Sequence, residues 1–201
     1  MARKPADQTV NRDEILVAAA EVFQERGYLG ATMADIASKV GLTAGSLYHH
    51  FPAGKSDLLL AVLNAGIDAV LREVDAVIAA GAPPDETLRH LIEAHIIGIT
   101  DNVSIGTAMV FDLHAALDLT DNPEGKDAFL LRRDEFEKRY RRVVEDGITA
   151  GLFRHVDMGI FTKALLGADN WVSVWFRPGG RLTGKQIAER IADIFLSALR
   201  C

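Results

Sequence analysis

Ser46, Tyr48, His49 and His50 fall within five residues, in the run AGSLYHHF that follows Thr43. A hydroxyl, a phenol and two imidazoles on one short segment can hydrogen-bond phosphate oxygens and the edges of bases. Leu47 and Phe51, four residues apart, are the only large apolar side chains of this segment with core character. A short helix held by two anchors, with its polar groups outward, suits insertion into a DNA groove. Gly45 and Ser46 keep its N-terminal end slim, so that the backbone can come close. In such helices the N-terminal residues meet base edges, while hydroxyls meet phosphates. The same pattern would serve an ordinary helix–helix corner, and taken alone it leaves both readings open.

The elements that must position this segment are written around it. Residues 32–51 read as two short helices with a tight turn between them. Thr32 and Asp35 form a capping box, the hydroxyl accepting from the backbone and the carboxylate reaching back. Ile36, Ala37 and Val40 give about two turns of apolar face, Gly41 supplies a positive φ at the helix end, and Thr43 caps the next helix. Upstream, Ile15, Leu16, Ala19, Val22 and Phe23 recur at helical spacing over residues 12–27. Residues 1–11 read as a polar arm in which Arg3 and Lys4 could add phosphate or minor-groove contacts. Downstream, Leu59, Leu63, Ile67, Val70, Val74 and Val77 predict one long helix over residues 56–80. It is too long to serve a DNA-binding unit alone, and it must cross into a second module.

The stretch RDEILVAAAEVFQERGYLGATMADIASKVGLTAGSLYHHF resembles the N-terminal domain of the TetR family of bacterial transcriptional repressors. The likeness rests on Phe23 and Gly27, the turn to Thr32, Asp35-Ile36-Ala37, Val40-Gly41, Ser46-Leu47-Tyr48, Phe51 and Lys55, and it covers about residues 12–63. The Pro52-Ala53-Gly54 link is longer than the family often carries. The resemblance implies an all-α fold of about nine helices. A three-helix helix-turn-helix domain (residues 1–55) would precede a ligand-binding and dimerisation bundle (residues 56–201). It implies a DNA-contacting set of Thr32, Thr43, Ala44, Gly45, Ser46, Tyr48, His49, His50 and Lys55. Within it Tyr48 and Lys55 fall to phosphates, and Thr43, Ser46 and His49 lie at or near base edges.

Composition agrees. A chain of 201 residues with 49% hydrophobic content can build one compact unit or two small ones. Cys201 is the single cysteine, which removes disulfide scaffolds and cysteine–zinc sites and fits a reducing cytoplasm. The first residues, MARKPADQTVNRDE, lack the apolar run of a signal peptide, and no stretch reaches the length needed to span a bilayer. The net charge of −6 looks wrong for a DNA binder, but residues 1–55 carry equal numbers of basic and acidic side chains. The acid therefore lies in the part that need not touch DNA.

Four further helices follow a first one over residues 85–100: 103–119, 124–150, 157–176 and 184–199. His95, among isoleucines, is either a satisfied core histidine or a polar contact to a ligand. Asp112 and His114 invite a metal reading, but two residues apart on a helix they face different ways. The arginines 132, 133, 139 and 142 alternate with acids; they form intrahelical ion pairs or, less simply, a CoA-phosphate site. A helical enzyme is the rival reading, yet no nucleophile motif, metal spacing or phosphate loop supports it. No cofactor is called for.

A second resemblance covers about thirty residues, NWVSVWFRPGGRLTGKQIAERIADIFLSAL. It looks like the C-terminal region of TetR-family repressors of fatty-acid and sterol degradation, which respond to acyl-CoA thioesters. The implied function is a homodimeric repressor of double-stranded operator DNA, released by a mostly apolar effector. An acyl-CoA is the candidate, and the alternative is a regulator without ligand control. Expected pocket residues are Leu91, His95, Ile99, Met109, Phe111, Asp112, Phe129, Phe136, Asn170 and Trp171, with His114 as a further polar anchor. The expected dimer interface is Trp175, Ile187, Ile191 and Phe195.

Overall fold

The computed structural model of the chain describes residues 10–107 and 122–200. Met109, Phe111, Asp112 and His114 of the helix expected over residues 103–119, and Arg3 and Lys4 of the arm, lie outside these residues. Nine helices and no strand occur among the described residues: α1 (Arg12–Gly30), α2 (Met33–Lys39), α3 (Ala44–His50), α4 (Lys55–Ala79), α5 (Pro84–Asp101), α6 (Val103–Thr107), α7 (Pro123–Thr149), α8 (Met158–Trp175) and α9 (Gly184–Leu199).

Local chemistry sets the N-terminal boundaries. Asn11 caps α1, and Gly27 breaks the helix with a φ of 68°, so that the last turn leads into an extended Ala31. Gly41, with a φ of 72°, closes α2, and Gly54, with a φ of 77°, starts α4 one residue earlier than its apolar periodicity suggests. The 25 residues of α4 make a rod about 38 Å long.

One continuous apolar core runs from Ile15, Phe23, Ile36, Leu47 and Phe51 through Leu59, Leu63 and Ile67 of α4 to Leu91, Tyr140, Leu165 and Leu199. Helix α4 packs against α1, α5 and α7, and α9 lies along α5. Arg132 pairs with Asp68 and donates to Asn64 Oδ1 at 2.8 Å; Arg139 grips Asp75 with two bonds of 2.6 and 3.1 Å. The rungs lie seven residues apart on both helices in the same order, so α4 and α7 run in parallel. These arginines thus bridge two helices rather than pairing only within α7, where Lys138–Glu135, Arg139–Glu135 and Arg141–Glu137 are intrahelical pairs. No helix among the described residues is long and apolar enough to cross a membrane.

Candidate nucleic-acid interface and effector site

The capping box at Thr32 is complete. Its hydroxyl accepts from Asp35 N at 3.1 Å and donates to Asp35 Oδ2 at 2.6 Å, and its own N–H donates to the same oxygen at 3.1 Å. The Thr32 hydroxyl, helped by the Arg26 guanidinium 2.8 Å away, holds the Asp35 carboxyl below the usual range. Lys39 ties α2 to α1 through Glu21 and Glu25. These pairs bind α2 to α1 as a fixed base.

Helix α3 sits on that base by Leu47 and Phe51, both buried. Thr43 accepts from Ser46 N at 3.1 Å, and the two hydroxyls lie 2.9 Å apart. Tyr48, His49 and His50 are exposed, as are Thr32, Thr43 and Gly45, while Ala44 and Ser46 are half-buried. The Tyr48 ring rests on Gly54, where an added Cβ would lie 3.3 Å from Cε1. Arg12, read from sequence only as part of the first helix, stands over the Phe51 ring 5.4 Å from its centroid and adds a cation beside α3. Lys55 does not point outward: its ammonium lies against the carbonyls that end α1.

The expected pocket residues divide. Leu91, His95, Ile99, Phe129 and Phe136 are buried in the bundle. His95 meets Phe136 edge-on at 5.2 Å and Tyr140 at 6.4 Å, and Tyr140 donates to Leu91 O at 2.9 Å. Asp169, which sequence reasoning passed over, brings a carboxylate 3.4 Å from His95 Nδ1. Burial pushes its pKa up, partly offset by the imidazole. Among the described residues, neither oxygen of Asp169, nor His95 Nδ1, nor Thr162 Oγ1 has a hydrogen-bond partner. The only sequence signal was an acid inside the apolar run ALLGADNWVSVW. Asn170 is half-buried. Trp171 does not line the interior: it lies on the outer face of α8, because Leu165, Leu166, Asp169 and Val172 take the inner one.

A cleft of about 480 Å³ lies elsewhere, lined by Gln24 of α1, Val103, Ser104 and Thr107 of α6, and Ser173, Val174, Phe176, Arg177 and Pro178 at the end of α8. Ser104 donates to Gln24 Oε1 at 2.6 Å across it. Arg177 donates to the Val174 and Phe176 carbonyls, which holds the Arg177-Pro178 turn at its rim.

Helices α8 and α9 leave Ile160 (71% exposed), Trp171 (54%), Trp175 (47%) and Ile194 (65%) on the surface. Ile191 and Phe195 are half-buried beside them, and Phe195 stacks edge-on to Phe161 at 5.7 Å. Ile187, expected in a subunit interface, is buried inside the chain, because α9 turns this residue toward α5. No cluster of three or more His, Cys, Asp or Glu suited to a metal occurs among the described residues.

A polar two-helix unit on an apolar base, joined by a long rod to a helical body with a cleft, defines a helix-turn-helix transcriptional regulator. The chain belongs to the TetR family. The family model "Bacterial regulatory proteins, tetR family" matches residues 15–62, and "Tetracyclin repressor-like, C-terminal domain" matches residues 81–199. The HTH-type transcriptional repressor KstR2 of Mycobacterium tuberculosis is 30% identical over 191 residues, covering 94% of this chain and 92% of the relative. The structure of ketosteroid transcriptional regulator KstR2 from that organism has a TM-score of 0.85 at 26% identity, covering 99% of this chain and 100% of the other. AibR, in complex with isovaleryl coenzyme A and operator DNA, has a TM-score of 0.77 at 31% identity, covering 94% of this chain and 97% of that one. The named relatives are regulators, and this chain is a regulator rather than an enzyme.

Proposed function

We propose that the chain acts as a homodimeric repressor whose residues 1–55 hold operator DNA and whose body, residues 56–201, binds against Gln24 of α1 an acyl-CoA thioester that releases it. The observation that carries the effector reading is the cleft with one wall in α1 and the other in α6 and α8. A ligand there touches both the DNA-binding unit and the body. It can shift operator affinity only if it favours one of their relative positions. Val103, Val174, Phe176 and Pro178 suit an acyl group, Ser104, Thr107 and Ser173 offer hydroxyls, and Arg177 is the cation at the rim. A volume of about 480 Å³ suits a small acyl portion, with the nucleotide end outside. Arg132 and Arg139 are engaged with Asp68 and Asp75, so Arg177 is the better placed to meet a phosphate. The complex of AibR with isovaleryl coenzyme A supports the same ligand class.

On DNA, Tyr48 with Arg12 serves phosphates, and Thr43, Ser46 and His49 serve base edges. The dimer forms through α8 and α9 around Trp171, Trp175 and Ile194. The test is a titration of the protein–operator complex with acyl-CoAs of increasing length and with the matching free acids. Release by the thioester alone, weakened in Arg177→Ala, is the expected result. Equal release by free acid, or none by either, overturns the ligand class.

A further inference from the structure

Lys55 opens α4, and its Nζ lies 2.6 Å from Tyr28 O, 2.9 Å from Ala31 O and 3.4 Å from Leu29 O. The same ammonium sits over the Tyr28 ring, 4.4 Å from its centroid. An ammonium has three N–H bonds to give, and three carbonyls converge on it. These carbonyls are the orphans that a helix end leaves: Gly27 breaks α1, and residues 28–31 then turn toward Thr32 with no further helical turn to receive them.

The two sides of this contact are far apart in sequence but both border α3. Ala31 immediately precedes Thr32, the cap of α2, and Lys55 follows Gly54, on which the Tyr48 ring lies. One ammonium thus joins the end of α1, the start of α2 and the link from α3 into α4. We infer that Lys55 is a positioning residue for DNA binding. Its charge is consumed inside the protein, and it acts on DNA through the placement of α2 and α3 rather than by touching a phosphate. The inference rests on the DNA-binding reading of α3.

The experiment compares the full-length protein with Lys55→Arg and Lys55→Met, using duplex fragments selected from a random-sequence pool on the wild-type protein, over a series of salt concentrations. A phosphate ligand would give a different pattern from a positioning group. Arginine would keep binding near wild type, and methionine would lower the log–log salt slope by about 0.9. The positioning role predicts that both variants lose roughly tenfold or more at every salt, along lines parallel to wild type. The planar fork of arginine does not converge on three carbonyls within this space. Amide exchange at residues 32–35 should quicken in both, at a temperature where circular dichroism shows the chain folded. Near-wild-type binding by Lys55→Arg, or a shallower slope for Lys55→Met, overturns the proposal. Unchanged amide exchange at residues 32–35 overturns it as well, and that readout needs no DNA. Absence of duplex binding by the wild type would instead fail the DNA reading.

Discussion

Asp169 Oδ2 lies 3.4 Å from His95 Nδ1, and both side chains are closed off from solvent where α5, α7 and α8 meet. A buried carboxylate without hydrogen bonds is costly, and its pKa moves to favour the neutral form. Burial raises that of Asp169 above its ordinary 3.8. In the unfolded chain the group releases its proton near 3.8, and in the folded chain only at higher pH. Between those points the folded state holds more protons, so this group's contribution to stability falls as pH rises.

Asp169→Asn removes the titration and keeps a group able to donate toward His95. Urea unfolding of wild type and variant should therefore diverge above pH 4. The wild type should lose stability relative to the variant as pH rises toward 7, and the difference should level off once the folded carboxyl has ionised. Parallel stability curves across that range would count against a buried, raised carboxyl.

Gly54 and Tyr48 form the second testable pair. Alanine at position 54 must hold a φ of 77°, which costs roughly 1–3 kcal/mol for a non-glycine residue, and its Cβ meets the Tyr48 ring. Gly54→Ala should displace Tyr48 and weaken binding to all duplexes alike. Tyr48→Phe removes one hydrogen bond, worth about 1 kcal/mol, or roughly fivefold in affinity, again without regard to sequence. If both act through the same hydroxyl, the double variant should lose clearly less than the sum of the two, as read by a double-mutant cycle. Full additivity would separate Gly54 from Tyr48.

What the sequence made legible was local. Helix periodicity placed nine helices, and Thr32, Thr43 and Gly41 marked their ends because caps and positive-φ glycines act within four residues. What it left hidden depended on tertiary placement. The carbonyl partners of Lys55 lie 24 to 27 residues away, and no motif announces them. Helix α8 is apolar on several sides, so composition could not say that Asp169 faces in and Trp171 out. Ile187 and Ile194 lie on one periodic stripe, yet α5 covers the first and leaves the second bare.

That bare side of α8 and α9 is the most direct test of the homodimer. Ile160, Trp171, Trp175 and Ile194 are large apolar side chains at the surface of two adjacent helices, an arrangement that marks an association site. Ile194 is the useful probe because it is 65% exposed in the single chain. Aspartate there would be solvated in a monomer, so its effect on folding should stay within about 0.5 kcal/mol. In a subunit interface the same carboxylate would be buried without a partner, at roughly 3–5 kcal/mol. Ile194→Asp should therefore raise the dimer dissociation constant at least about a hundredfold, with the helical circular dichroism at ambient temperature nearly unchanged and the melting temperature lowered only by the lost subunit association. Ile187→Asp is the contrast: that side chain is buried within the chain, and its charge should unfold the protein rather than separate subunits. Sedimentation velocity over a concentration series distinguishes these outcomes. A folded Ile194→Asp that dimerises as tightly as wild type would place the interface elsewhere.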